Sequence, residues 1–326
     1  MNNFEWTQPE TVAEALAALD HGGAMPLAGG VDLLDRLKEG LEAPSRQVSV
    51  RKLAGLADIA IDAGGARLGA NVTLARLAAD PGLRASHPLI GDAAGHAATP
   101  QLRAMATLGG NLAQRPRCWY FRSEAFACRK KGGTVCFAHD GDNQLHAIFG
   151  NQLCAATHPS TVVTALIALG ARVAIAGQHA REIDLASFFV APEADLAREV
   201  DLVPGELITH VIVPPTPGNV RTAYTKQVAK QSFDWPLVDV AVALAMDGRV
   251  CRQATIVLGA VAPTPRRATE AERALTGVTV DVMAAERAAH AAIAGATPLS
   301  GNDHKVQILE VVVARTILAA VQGRPS

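Results

Sequence analysis

Apolar residues in the first hundred positions alternate between helical and extended spacing. Ala13, Leu16, Ala17 and Leu19 share one face of a helix predicted over Thr11 to Leu19. Pro26-Leu27-Ala28 reads as a short strand, and Val31 to Lys38 is again helical. Gln47 to Val50, Asp58 to Ile61 and Arg67 to Ala70 read as strands; Leu74 to Ala79 and the stretch after Pro88 read as helices. From Thr99 to about Pro159 the periodicity disappears, and Gly, Arg, Lys, Cys and aromatic residues crowd together. An irregular segment of that length inside a domain is functional or disordered. Its aromatics, Trp119, Tyr120, Phe121, Phe126 and Phe137, argue against disorder, so something must hold it in shape.

Regular patterning returns with a helix from Thr161 to Leu169, a strand from Arg172 to Ala176 and another from Glu206 to Val213. Pro214-Pro215-Thr216-Pro217-Gly218-Asn219 marks a boundary or sharp turn. Beyond it, Thr222 to Val228, Leu237 to Met246 and Arg252 to Val261 form a predicted antiparallel meander. Helices over Arg266 to Leu275, Val280 to Ile293 and Lys305 to Val321 follow. Runs of strands followed by runs of helices predict an α+β fold. The length, 326 residues, favours two domains, expected at 1–217 and 218–326 with an irregular loop at about 115–158.

Composition narrows the classes. An apolar share of 49% is ample for a core, and 30 basic against 31 acidic residues give no electrostatic reason to bind nucleic acid. The start, Met1-Asn2-Asn3-Phe4-Glu5-Trp6, is not a signal peptide. The apolar stretch Val162 to Ala176 is broken by Gly170 and Arg172, too short to insert in a membrane. The expectation is a soluble chain assembled in the cytoplasm, exported, if at all, with a signal-bearing partner.

Four of the five cysteines, Cys118, Cys128, Cys136 and Cys154, fall inside the irregular segment with spacing C-x9-C-x7-C-x17-C. Disulfides are disfavoured without a secretory signal. Four thiolates suit zinc, although structural zinc sites favour short C-x2-C pairs. They equally suit a [4Fe–4S] cluster, whose ligands can approach from a long loop. Arg115, Arg117, Arg122, Arg129, Lys130 and Lys131 are expected to lower thiolate pKa and offset cluster charge. Spacing alone leaves both metals open. Cys251 stands apart in a strand and reads as a core thiol. His139, His146 and His158 read as surface or hydrogen-bonding residues of the loop.

Two glycine pairs lie outside the cysteines. One is Pro26-Leu27-Ala28-Gly29-Gly30-Val31-Asp32-Leu33-Leu34, at a strand-to-helix passage; the other is Thr107-Leu108-Gly109-Gly110-Asn111. Paired glycines admit close backbone approach and can turn successive N–H groups toward an anion such as a pyrophosphate. Neither is G-x-G-x-x-G, and either alone could be an ordinary turn.

Together with Ile208, Lys226, Asp234-Trp235-Pro236-Leu237-Val238 and Gly259-Ala260-Val261-Ala262-Pro263-Thr264-Pro265, these motifs resemble the FAD-binding medium subunit of molybdenum hydroxylases. That group includes xanthine dehydrogenases, carbon monoxide dehydrogenase and bacterial aldehyde oxidoreductases. Arg117-Cys118-Trp119-Tyr120-Phe121-Arg122, Lys131-Gly132-Gly133 and His146-Ala147-Ile148-Phe149-Gly150-Asn151 resemble the subset with an additional [4Fe–4S] cluster, nearest the periplasmic type of aldehyde oxidoreductase. The resemblance implies an FAD-binding domain of the PCMH/vanillyl-alcohol-oxidase type in two α/β subdomains, then a C-terminal domain with a small antiparallel sheet and helices. It implies that Pro26 to Leu34, Thr107 and Gly109-Gly110-Asn111 cradle the FAD pyrophosphate, that Ile208 and Lys226 lie near the isoalloxazine, and that Cys118, Cys128, Cys136 and Cys154 hold the cluster. Where the family commonly has an aspartate at the start of the following helix, this chain has Thr161, which can still hydrogen-bond a ligand hydroxyl and cap the helix.

The implied activity is electron transfer. A large molybdopterin-binding subunit and a small [2Fe–2S] subunit would complete a heterotrimer, aldehyde would be oxidised to carboxylic acid at molybdenum, and electrons would reach FAD and an external acceptor. No residue here would act on the organic substrate. Xanthine dehydrogenase and 4-hydroxybenzoyl-CoA reductase are the alternatives within the enzyme class. A zinc-stabilised adaptor is the alternative outside it.

Overall fold

Helix α1 (Val12–Leu19) starts on a reciprocal cap. The Thr11 hydroxyl accepts from the Glu14 N–H at 3.2 Å, and the Glu14 carboxylate accepts from the Thr11 N–H at 3.2 Å. The computed structural model describes residues 2–230 and 232–323. Strands β1 (Glu5–Thr7), β2 (Ala24–Leu27) and β3 (Arg46–Ser49) form a parallel sheet in the order β1-β3-β2. Ala15 and Leu19 of α1 join Val48 and Val50 in one small core, while Leu33 and Leu37 of α2 (Leu33–Lys38) join Leu27 in another.

The middle of the chain builds a second layer. Strands β4 (Ile59–Asp62), β5 (Gly65–Gly69), β6 (Arg172–Ala176), β7 (Arg181–Asp184) and β8 (Leu207–Val213) form an antiparallel sheet ordered β4-β5-β8-β6-β7. Helices α3 (Leu74–Ala79), α4 (Pro81–Ser86), α5 (Pro88–Gly95), α6 (Pro100–Met105), α7 (Leu108–Leu112), α8 (Trp119–Arg122) and α9 (Thr161–Ala168) lie between β5 and β6 in sequence. Leu68, Leu77, Ile90, Leu166, Val173 and Val211 share one core. Every residue of α9 is buried, its apolar residues and two threonines alike, because it packs between this sheet and the next.

That next sheet is the C-terminal meander: β9 (Val220–Gln227), β10 (Val238–Asp247), β11 (Val250–Gly259) and the two-residue β12 (Arg266–Arg267), in the order β12-β11-β10-β9. Ala241 and Ala243 of β10 join the core around α9. Val240, Val242 and Leu244 face α11 (Val282–Ala292) and α12 (His304–Gln322), with α10 (Thr269–Leu275) alongside. Burial on both faces explains why Val238 to Met246 is almost continuously apolar.

The architecture is the expected α+β arrangement, with local differences. Residues 100–112 carry two short helices where no periodicity was expected. Each is five or six residues, started by Thr99 or Thr107, so neither completes a repeat that a pattern could reveal. The Gly109-Gly110 pair is therefore helical rather than a turn. Helix α10 starts at Thr269, because Arg266–Arg267 pair with β11 instead. Strands β1 and β7, short and largely polar or exposed, escaped the pattern. Among the described residues no helix is long and apolar enough to cross a membrane.

Candidate functional site

The first glycine pair turns the chain from β2 into α2 where space is shortest. Gly30 has φ +75°, and a Cβ at Gly29 would lie 1.9 Å from the Met105 carbonyl oxygen. The turn is closed by the Leu34 N–H donating to the Gly30 carbonyl at 3.0 Å. Among the described residues, the N–H groups of Gly29, Gly30, Val31 and Asp32 donate to no protein acceptor. The second pair is pressed onto the end of β5. Gly109 donates to the Ala70 carbonyl at 2.8 Å, and its own Cβ would meet Ala70 Cβ at 3.0 Å. Thr107 Oγ1 accepts from Gly110 N–H at 3.3 Å, and Asn111 Oδ1 accepts from the Ser160 hydroxyl.

Both glycine pairs open on one cavity of about 800 Å³. Pro26, Leu27, Ala28, Gly29, Gly30, Val31, Asp32, Leu33 and Leu34 line it, as do Thr107, Gly109, Gly110, Asn111, Thr161, Ile208 and Lys226. These residues come from five separated stretches of chain, and the fold brings all of them to one place. The size is within the range of small-molecule and cofactor sites. Sequence reasoning missed several other walls: Asn71, Leu102, Met105, Arg117, and the loop Phe233-Asp234-Trp235-Pro236. Arg103 lies over the Phe233 ring at 5.8 Å and Arg117 over Trp235 at 5.3 Å. The Asp234-Trp235-Pro236 motif was visible in the sequence, but nothing in it revealed that it reaches the cavity.

Asp32 belongs to the cavity wall, yet its carboxylate is already engaged. It accepts from Arg122 at 2.7 Å and the Arg115 N–H at 3.1 Å, and is ion-paired with Arg117 at 3.0 Å and Arg36 at 3.1 Å. Burial would raise its pKa, but Arg117, Arg36 and Arg122 together outweigh burial and hold it below the ordinary carboxylate value. Arg115 extends the network to Glu42 and Glu199, and Lys130 pairs with Glu199 at 2.8 Å. The glycine turn and the cysteine loop are thus joined by charge.

This corrects one expectation. Arg115, Arg117 and Arg122 serve carboxylates rather than the cysteines, Arg129 donates to the Thr134 and Leu153 carbonyls, and Lys131 to the Ser123 carbonyl. Lys130 acts on Cys154, whose pKa it lowers against burial.

The cysteine loop is compact. Arg129 N–H donates to Val135 O at 2.8 Å and Gly133 N–H to Cys128 O at 3.1 Å, closing a turn between Cys128 and Cys136. A Cβ at Gly133 would strike the Ala127 carbonyl at 1.7 Å, and Gly132 has φ +86°. Burial pushes the Cys118 thiol up to about 12; N–H groups of Phe121 and Tyr120 oppose this, while Cys154 and Cys128 add to it. Burial likewise raises Cys154, against Ala156 N–H and Lys130, with Cys136 and Cys128 adding. All four thiols are therefore electrostatic neighbours. Among the described residues no three His, Cys, Asp or Glu side chains converge tightly enough for one metal ion. His146 and His158 are buried rather than at the surface, His146 Nε2 lying 3.3 Å from Cys118 Sγ. Cys251 is a fully buried core thiol.

Behind the cavity, Lys226 on β9 pairs across the ladder with Asp239 on β10. Lys226 donates to the His96 carbonyl at 3.0 Å, and burial lowers its pKa. Asp239 is fully enclosed: burial raises it to about 7, against Thr164, Lys226, Tyr224 and Lys305. Thr161 reaches the cavity but does not cap α9. The cap is Ser160, whose hydroxyl accepts from Val163 N–H at 3.2 Å.

Residues 2–216 match the family described as the FAD binding domain in molybdopterin dehydrogenase, and residues 223–319 the CO dehydrogenase flavoprotein C-terminal domain. The chain is 35% identical to the aldehyde oxidoreductase FAD-binding subunit PaoB of Escherichia coli K12, covering 98% of this chain and 99% of that one. It is 28% identical to the carbon monoxide dehydrogenase medium chain of Afipia carboxidovorans, over 97% and 96% of the two. A chain in the crystal structure of quinoline 2-oxidoreductase from Pseudomonas putida 86 superposes with TM-score 0.78 at 27% identity, covering 99% of this chain and 98% of that chain.

Proposed function

The chain belongs to the FAD-binding medium subunits of the molybdenum hydroxylases, and we propose that it carries FAD and one [4Fe–4S] cluster as the electron-transfer subunit of an aldehyde-oxidising member. One observation carries the reading: sixteen residues singled out in sequence line a single cavity whose closest wall, at Gly29, leaves no room for a side chain. We take residues 1–217 as the FAD-binding domain and 218–326 as the C-terminal domain. A large molybdopterin-binding subunit and a small [2Fe–2S] subunit are its partners, and an external acceptor takes the electrons. The aldehyde is favoured by the 35% identity to a subunit of an aldehyde oxidoreductase over nearly the whole chain.

FAD, when bound, accepts electrons singly and releases them in pairs. The protein's own part is to hold it. Free N–H groups at Gly29 to Asp32 suit the pyrophosphate oxygens, while the engaged Asp32 carboxylate is neutralised by three arginines and so does not repel them. Lys226 supplies a cation near the flavin ring that favours its anionic reduced form. Thr161 offers a neutral hydroxyl where the family commonly has a carboxylate.

Cys118, Cys128, Cys136 and Cys154 hold the cluster. Each thiolate of a cluster binds a different iron, so its ligands stand farther apart than those of a single ion. Four neighbouring thiols within one loop suit that arrangement. The test is the purified full chain with the subunits it assembles with. Flavin bands, a broad iron–sulfur shoulder and about four irons per chain are expected; a colourless preparation with stoichiometric zinc overturns the reading. Turnover with aldehydes against purines decides the substrate class. Cys136→Ser separates relay from clamp: unchanged FAD reduction kinetics in a folded complex would assign the cluster a structural role.

A further inference from the structure

His146 lies 28 residues from Cys118 in sequence, and the loop is built to bring them together. Its Nε2 is 3.3 Å from Cys118 Sγ, and the residue is 3% exposed. The Trp119 ring meets the imidazole edge-on at 4.9 Å, and Tyr120 lies 6.0 Å away on the same helical turn. The backbone is pinned at both ends. The His146 N–H donates to Asn143 O at 2.9 Å, and the His146 carbonyl accepts from Lys305 Nζ at 2.9 Å and Asn302 Nδ2 at 3.1 Å. Packing and hydrogen bonds thus fix where the ring points.

The proton's place on that ring follows from chemistry. A ligating thiolate has no proton and can only accept, so Nε2 must carry the hydrogen if the two interact. Nδ1 forms no hydrogen bond of good geometry among the described residues, and the Asn143 carbonyl close to it already accepts from the His146 N–H at 2.9 Å. A hydrogen on Nδ1 would therefore share, at poor geometry, a carbonyl that is already engaged, whereas one on Nε2 faces a sulfur.

We propose that His146 is a positioning residue for the iron–sulfur centre: its Nε2–H donates to Cys118 Sγ and favours the reduced state of the cluster. The inference rests on the cluster reading above. The electrostatic reason is direct. Reduction adds negative charge shared by the ligand sulfurs, and a donor aimed at one of them in a buried setting stabilises the added charge more than the initial state.

The test uses the full chain purified with the subunits it assembles with. An EPR-monitored redox titration of His146→Phe should retain iron and FAD while the cluster's reduction equilibrium shifts about tenfold toward the oxidised state, or about 59 mV for one electron. His146→Gln, with an amide donor, should recover part of the shift. An unchanged midpoint at full iron content overturns the proposal, and so does loss of iron in both variants, which would make His146 a ligand or a folding residue. Wild-type protein labelled with ¹⁵N-histidine gives a reading free of any folding defect. A weak ¹⁵N coupling to the reduced cluster is expected; none, or one of directly bound nitrogen, overturns it. Wild type without iron removes the cluster reading as well, and is recognised before any variant is made.

Discussion

The walls of the cavity are the ends of regular elements, whereas the loop beside it has almost none. Around the cavity, Leu27 ends a strand, Leu33 starts a helix and Gly109 sits in the first turn of the capped helix α7, pressed on the end of β5. Between Ala113 and Ser160 there is only one short α-helix and one 3₁₀ turn. That loop is held by side chains reaching backbone: Arg129 to Leu153 O, Lys130 to Leu196 O, Asn143 to Ala138 O, Asn151 to Ala147 O. The cradle depends on side chains that are missing, and the loop on side chains that are present. One should be sensitive to added atoms, the other to deleted ones.

Asp32 is where the contrast can be broken. It lines the cavity and anchors the loop, so Asp32→Asn should damage both. Removing the carboxylate leaves Arg36, Arg117 and Arg122 short of their shared partner, a loss of about 3 to 5 kcal/mol for a buried network. FAD and iron content should fall together, with a lower denaturation midpoint; loss of one cofactor alone would show the regions to be independent.

Gly29→Ala should sharpen the contrast. Its methyl would run into the Met105 carbonyl, a backbone atom that cannot swing aside. About a hundredfold weaker FAD binding is expected, roughly 3 kcal/mol, with iron retained. Flavin absorbance after gel filtration reads this directly, and wild-type flavin content would exclude the cradle.

The smallest effect is a pH dependence set by two buried charges, one behind each region. Asp239, behind the cavity, has a folded pKa near 7, raised by burial from 3.8. The folded state keeps a proton that the unfolded state releases, so stability falls as pH rises through that window. Between pH 5 and 7 the loss should be about 2 kcal/mol, and Asp239→Asn should flatten it. Lys305, behind the cysteine loop, is lowered by burial from 10.5 to about 7 and acts in the opposite sense. Its contribution rises from pH 7 toward 10.5. Denaturation midpoints across pH separate the two.

Legibility in the sequence followed range. The glycine pairs, the α9 helix and the C-terminal meander were readable because sterics and periodicity are local. The destinations of Arg115, Arg117 and Arg122 were not, since Asp32 and Glu199 lie more than 70 residues away in either direction. Charges among cysteines suggested service to the cysteines, and only the folded chain shows the carboxylates that claim them. His146 had the same difficulty. A histidine in a glycine-rich loop reads as a surface or hydrogen-bonding residue, and its burial shows only once Trp119, Asn302 and Lys305 close around it.

Those last contacts bear on the order of biosynthesis. Asn143 accepts from Gly301 N–H, Asn151 donates to Thr297 O, and Lys305 donates to Leu145 and His146 carbonyls, all across about 150 residues of chain. A ribosome therefore releases the cysteines long before it releases the segment that fastens their loop. Until residues 297–305 emerge, the loop that carries the four thiols lacks those contacts. Once they dock, the loop has all of these anchors, so its final form waits for the last part of the chain.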